Sequence, residues 1–168
     1  MKNIMINPPH SYKAEIVAAH SVNYSVLIET GTYFGVMVRA QIDNFDLIYS
    51  IELSKDLATQ AKKQFKDFKN VVIFEGDSPA ILRAIVPLLT EPALFWLDAH
   101  YSGGVTARGD TPCPLLEELD AILGSPLEHG ILIDDARQFG VNEGFPTLGE
   151  IYDKMGNFTV INDIIWKI

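Results

Sequence analysis

Six carboxylates stand where short apolar runs end: Glu29, Glu52, Asp77, Asp98 and the adjacent pair Asp134 and Asp135. A strand interior needs only apolar side chains, so acids at five successive exits point to one shared site. Carboxylates accept from hydroxyls and amines and bind cations. The first opens the stretch Glu29-Thr30-Gly31-Thr32-Tyr33-Phe34-Gly35, where Gly31 can take a positive φ and let a ligand approach the backbone. Gly35 allows the next helix to pack close to the strand, and that helix N-terminus attracts a carboxylate or phosphate. Glu52 lies about 20 residues further on, the spacing of an acid that binds both hydroxyls of a ribose. Asp77, after Gly76, is placed to accept from the exocyclic amine of an adenine. Together they describe an adenosine pocket. A turn built for a pyrophosphate would carry a third glycine, which is missing from its expected place, and Glu29 suits an ammonium instead.

A proton acceptor stands close by. His100 follows Asp98 by two residues, and an imidazole with an ordinary pKa of about 6.5 suits a general base. Tyr101, Arg108 and Arg137 are candidates for substrate contact, with Arg108 in a Gly-rich loop able to close over a site. The plainer alternatives are a solvated loop arginine and a surface pair between Asp135 and Arg137. Cys113 has no partner base in the sequence and reads as structural, as do His20 and His129. His10, before the first helix, could belong to a lid.

Positioning these groups calls for short strands alternating with helices, the pattern of a parallel sheet covered on both faces. A first helix is expected from a Ser11 cap to about Asn23, with Ala14, Val17, Ala18 and Val22 at helical spacing. Parallel strands are expected at Ser25–Ile28, Leu47–Ile51, Val71–Phe74, Ala93–Leu97 and Gly130–Ile133. Helices follow the Gly35 turn to about Asp43, run from the Ser54 cap to about Phe68, begin near Pro79, and carry Leu115, Leu116, Leu119, Ile122 and Leu123 on one face. Leu148–Met155 reads as a short helix. Phe158–Ile161 and Ile164–Ile168 flank Asn162-Asp163, a tight turn, so the last two strands are antiparallel to each other. A single domain over residues 1–168 is expected, with a helical segment at 1–24 and a candidate active-site loop at 99–112.

Composition narrows the partners. Hydrophobic residues make up 48% of the 168 and charged residues 21%, a globular mixture. No apolar run approaches the roughly 20 residues of a membrane span, and no signal-peptide pattern opens the chain. One cysteine excludes an internal disulfide framework, and the expectation is a soluble cytoplasmic protein. A net charge of −9 repels nucleic acid over most of the surface, so a small-molecule partner is expected, with no nucleic acid and no membrane.

The arrangement resembles the class I S-adenosylmethionine (SAM)-dependent methyltransferases across nearly the whole chain. Glu29-x-Gly31-x-x-x-Gly35 is similar to their first motif, Glu52 to their ribose acid, and Gly76-Asp77 to their adenine-side motif. The resemblance implies a doubly wound, mostly parallel seven-stranded α/β sheet of order 3-2-1-4-5-7-6, its last strand antiparallel, with helices on both faces. It also implies SAM as cofactor, its methionine end near Gly31 and Asp98. Contacts would come from Glu29, Gly31, Thr32, Tyr33, Gly35, Glu52, Leu53, Gly76, Asp77, Ser78 and Asp98.

Asp98, Asp134 and Asp135 resemble the divalent-metal set of small-molecule O-methyltransferases of the catechol and macrocin types. That likeness implies Mg²⁺ on these three oxygen ligands, lowering the pKa of a substrate hydroxyl held beside Asp98 and His100. Bulky Tyr33 and Phe34 depart from the usual first motif. With no inserted cap domain, the acceptor is expected to be covered by the N-terminal segment, by residues 99–112, or by another subunit of a homo-oligomer. Two other functions stay open: a non-catalytic SAM-binding module and a nucleotide-dependent oxidoreductase.

Overall fold

Among the described residues, the apolar runs become seven strands of one sheet, flanked by six α-helices. In a computed structural model, which describes residues 7–98 and 112–168, the order along the chain is α1 (His10–Ala19), β1 (Val26–Thr30), α2 (Val36–Gln41), β2 (Leu47–Glu52), α3 (Lys55–Gln64), β3 (Val71–Glu75) and α4 (Ser78–Ile85). There follow β4 (Ala93–Leu97), α5 (Leu115–Leu123), β5 (Gly130–Ile133), α6 (Leu148–Met155), β6 (Thr159–Ile161) and β7 (Ile164–Lys167). The sheet order is β3-β2-β1-β4-β5-β7-β6. β1 to β5 pair in parallel; β7 runs antiparallel to β5 and to β6. This is the topology expected from the resemblance.

Alternation along each strand divides the core. Val26 and Ile28 of β1 and Phe95 of β4 face α4, α5 and α6, packing with Leu82, Leu119 and Ile151. Leu27 of β1 and Leu94 and Trp96 of β4 face the other way, against Val17 of α1, Met37 and Val38 of α2 and Ala61 of α3. Side chains of period two that are buried on both faces read as continuous apolar runs, which is why these strands were legible.

Helix boundaries differ more. α1 begins one residue earlier than the Ser11 cap, after Pro9, with no side-chain cap, and it stops at Ala19. His20 and Asn23 then make tight turns onto Val17 and His20 carbonyls, which leaves Val22 84% exposed instead of on the apolar face. α2 has only six residues, because Asn44 folds back to bond the Gln41 and Ala40 carbonyls. α3 ends at Gln64, four residues short of Phe68. The Ser54 cap is present, its hydroxyl accepting from the Leu57 N–H at 3.5 Å. The hairpin turn is also as expected: Asn162 and Asp163 both take positive φ, the requirement of a two-residue turn of this kind. Among the described residues no helix is long and apolar enough to cross a membrane.

Candidate functional site

Because β1 to β5 run parallel, their carboxyl ends reach one edge, and the ladder continues past the strands. The Gly31 N–H donates to the Ile51 carbonyl at 2.9 Å and the Gly76 N–H to the Glu52 carbonyl at 2.9 Å. The Asp98 N–H donates to Thr30 and the Asp134 N–H to Leu97, each at 3.1 Å. The acids therefore leave the sheet in the spatial order Asp77, Glu52, Glu29, Asp98, Asp134.

Glu52 is the fixed point of the first half. Its Oε2 accepts from the Tyr33 N–H and its Oε1 from the Ser54 N–H, both at 2.8 Å, and it is buried. Each oxygen keeps a further lone pair for a ligand. The Tyr33 amide can point there because the turn takes left-handed conformations at Gly31 (φ 86°), Tyr33 (49°) and Gly35 (70°). At Gly35 a Cβ would lie 2.6 Å from the buried Phe65 ring, so the turn packs directly on the end of α3. Glu29 lies beneath, 2% exposed, accepting from the Ser50 hydroxyl, which lies 2.6 Å from the Thr32 hydroxyl. Burial, with the Glu52 charge adding and the Ser50 hydrogen bond opposing, pushes the Glu29 carboxyl up to about 8. Tyr33 and Phe34 of the same turn hold their ring centres 4.1 Å apart, tilted by 47°, and are both exposed, as is Leu53.

At the exit of β3, Asp77 caps α4, accepting from the Ala80 N–H at 3.2 Å, and stays exposed. Ser78 is buried and its hydroxyl donates to Glu118 of α5 at 2.5 Å. Sequence reading missed Glu118, which sits on the inward stripe of α5 beside Leu115, Leu119 and Ile122. Burial pushes its carboxyl up to about 7, against the Ser78 hydrogen bond. Glu118, Asp98 and Asp134 line a small pocket with Leu97, Cys113, Pro114, Leu115, Ile133 and Phe139. Burial also raises the Cys113 thiol to about 11, which leaves it no nucleophilic thiolate at neutral pH.

At the far exit the acid pair is held by protein cations. Lys13 of α1, only 9% exposed, places its ammonium 2.6 Å from Asp134 Oδ2 and 3.5 Å from Asp135 Oδ1. Asp134 Oδ1 accepts from the Asp135 N–H at 2.8 Å. Arg137 donates to Asp135 Oδ1 at 2.6 Å and also to Asp163, while Gln138 donates to Asp135 Oδ2 at 2.5 Å. Burial opposes charge on Lys13, but the Asp134 hydrogen bond and the Asp134, Asp135 and Asp98 charges outweigh it and hold the ammonium above its ordinary range. For Asp134, burial and the neighbouring Asp135 push the carboxyl up against the pull of Lys13. Among the described residues no three His, Cys, Asp or Glu side chains converge as a metal shell. Two protein cations, Lys13 on Asp134 and Arg137 on Asp135, already neutralise the pair at 2.6 Å each, so these residues do not fit the Mg²⁺ set that the resemblance implies.

The hairpin completes this corner. Asp163, buried, accepts from the Asn7 N–H at 3.0 Å and the Arg137 N–H at 2.8 Å. Neither Lys13 nor Asp163 was singled out from the sequence. Lys13 stands four residues before Val17, on the inward stripe of α1, and a lysine in that position was the available signal. Arg137 is bound to acids of its own chain at a one-third exposed side chain. His129 is structural: its Nδ1 accepts from the Ala93 N–H at 3.0 Å and its Nε2 lies 3.0 Å from the Ser125 hydroxyl. His20 packs edge-on to Trp166, and His10 opens α1 near Lys13 and Asp134. His100, Tyr101, Arg108 and nearly all of the loop at 99–112 lie outside the described residues.

No protein-family model and no curated protein matches the sequence. Solved structures do match. A putative methyltransferase from Streptococcus mutans, SMU.1697c, in complex with SAH, aligns at a TM-score of 0.64 over 98% of this chain and 100% of that one, at 16% identity. The fold is that of the class I SAM-dependent methyltransferases. The O-methyltransferase TomG from Streptomyces achromogenes, involved in tomaymycin synthesis and solved with SAM, covers 99% of this chain and 80% of its own at a TM-score of 0.61 and 14% identity. The 23S rRNA methyltransferase ErmE is similar over 79% of this chain, at 19% identity and a TM-score of 0.55. This chain spans only 50% of the length of ErmE. In this fold the exits of β1, β2 and β3, with Gly31, Glu52 and Asp77, lie on the edge where ligands of open α/β sheets bind.

Proposed function

We propose that the chain is a SAM-dependent methyltransferase acting on a hydroxyl of a small molecule, a sugar or a natural-product precursor. One observation carries the reading: a buried carboxylate, Glu52, held by two backbone amides beside the Gly31 turn. That arrangement suits a ligand bearing a diol at one end and polar groups at the other. The net charge of −9 and the row of acids disfavour a polyphosphate chain as acceptor, although an rRNA methyltransferase shares the fold. The similar O-methyltransferase supports oxygen as the receiving atom.

When bound, SAM would supply an electrophilic methyl group to an acceptor oxygen. Glu52 would accept from the ribose hydroxyls with the lone pairs left by Tyr33 and Ser54. Gly76, Asp77, Ser78 and Leu53 would hold the adenine end. Gly31 would admit the methionine end to the backbone, and Asp98 would take its ammonium. His100, two residues beyond Asp98, would take the acceptor proton; Tyr101 and Arg108 would orient the acceptor, while Arg137 is bound to Asp135 and Asp163. Holding the two reactants in line supplies most of the acceleration in such a displacement. No step runs through a metal.

The test is a thermal-shift panel of SAM, S-adenosylhomocysteine and NAD, followed by mass spectrometry with hydroxylated acceptors. A ligand at about 100 times its dissociation constant adds roughly 2.7 kcal/mol of stability, which is readily seen. Preference for NAD would replace methyl transfer with an oxidoreductase reading. S-adenosylhomocysteine binding without turnover on any acceptor would leave a non-catalytic module.

A further inference from the structure

We infer that Lys13 is the resident cation of the Asp98–Asp134–Asp135 corner, occupying the place of a divalent ion and holding Asp134 toward the acceptor side. A hard divalent cation needs carboxylate charge that no protein cation already neutralises at the same oxygens. Here Asp134 Oδ2 lies 2.6 Å from the Lys13 ammonium, and Oδ1 accepts from a backbone amide. Asp135 is gripped by Arg137 on one oxygen and by Gln138 on the other. A Mg²⁺ ion at its usual distance of about 2.1 Å from Asp134 Oδ2 would sit within about 5 Å of the ammonium, cation against cation.

Lys13 is not a surface chain that happened to fold inward. α1 is anchored on both sides of it. The Gln41 amide donates to the Ala14 carbonyl at 2.9 Å, and Val17, one turn on, is fully buried in the core. The Asn7 N–H reaches Asp163 at 3.0 Å, and the Asn162 amide donates to the Tyr12 hydroxyl at 2.6 Å, tying the start of α1 to the hairpin. The stem of Lys13 is therefore enclosed and its charged end aimed at the acids. Lys13 acts through Asp134 and is a positioning residue. Its part in turnover rests on the methyltransferase reading; its part in excluding metal does not.

The experiment titrates Mn²⁺, read by electron paramagnetic resonance, into the full chain and into Lys13→Met, Lys13→Arg and Lys13→Met/Asp134→Asn. Wild type and Lys13→Arg should hold no stoichiometric Mn²⁺. Lys13→Met should bind one ion about tenfold more tightly or better, and the double variant should lose it. A stoichiometric Mn²⁺ site in wild type that Asp134→Asn removes would overturn the inference, as would Lys13→Met binding no better than wild type. Should Lys13→Met fail to fold, the Lys13 Cε–Hε signal of the wild type is followed by NMR as Mg²⁺ is added. Its persistence supports the assignment and its displacement by millimolar Mg²⁺ overturns it. Where methyl transfer is measurable, EDTA should leave the rate unchanged. Complete absence of methyl transfer defeats the methyltransferase reading alone and leaves the Mn²⁺ result standing.

Discussion

Tyr33 gives its backbone N–H to Glu52 at 2.8 Å, so the turn after β1 and the end of β2 close on one carboxylate. Ser54 closes it from the other side at the same distance. Changing Glu52 to Gln keeps the shape but sets an amide N–H₂ against one of the two backbone donors and removes the charge. Expected is a 10- to 100-fold loss of S-adenosylhomocysteine affinity, about 1.4–2.7 kcal/mol, in calorimetry. Unchanged affinity would remove Glu52 from the cofactor site.

Glu29 predicts a pH dependence of stability. Its carboxyl is raised to about 8 by burial, so the folded chain holds a proton that the unfolded chain releases above its ordinary 4.5. The contribution is fully present below the unfolded value and is lost as pH rises through the folded one. The slope is about 1.4 kcal/mol per pH unit within that window. Glu118, raised to about 7, adds in the same sense over a narrower range. Urea denaturation near the two ends of the window should show the free chain weakening with pH, and Glu29→Gln should flatten part of the decline. A variant as steep as wild type would mean that Glu29 is ionised in the fold.

What was legible follows from the range of the interactions. The strands and their acidic ends rest on local periodicity, and each parallel strand lies within a residue or two of its expected place. Sheet order came with the family likeness, because no local pattern encodes which strand neighbours which. Helix ends were decided by particular contacts: Asn44 on the Gln41 carbonyl stops α2 early, and nothing in the apolar spacing announces it. The site divides the same way. Glu52 could be read from its distance to the glycine turn. Lys13 meets Asp134 across 121 residues of sequence, and a lysine seen alone on a helix looks like a solvated edge. Asp163 was read correctly as a turn residue; its grip on Arg137 depends on the hairpin docking beside β5, a relationship the turn itself does not contain.

Gly35 combines strain with collision. It sits at φ 70° and ψ 26°, left-handed backbone that costs alanine of order 1 kcal/mol. An added Cβ would also lie 2.6 Å from the Phe65 ring. Gly35→Ala should therefore lose about 2–4 kcal/mol in urea denaturation, strain and overpacking together. Adding Phe65→Leu should recover part of that loss in a double-mutant cycle. A cycle with no coupling between the two positions would show that the turn after β1 does not press on α3.

Asp163 joins three segments that no helix or strand connects: the chain before α1 through Asn7, the loop after β5 through Arg137, and its own hairpin. It sits at φ 68°, where asparagine is tolerated and alanine is strained. Asp163→Asn thus keeps the turn and removes only the charge that holds the Arg137 guanidinium. The neutral amide can still accept from one backbone N–H, but the charged partner is left with Asp135 alone. A loss of about 1–3 kcal/mol is expected from a buried charge-assisted bond. Asp163→Ala should cost more, since strain adds to the lost bonds. Amide exchange at Asn7 and Arg137 should rise in Asp163→Asn while exchange in β1 to β4 stays unchanged, because those strands do not depend on the hairpin. A stability change within about 0.5 kcal/mol, the range of ordinary surface substitutions, would mean that the hairpin is held by β7 pairing with β5 and not by this aspartate.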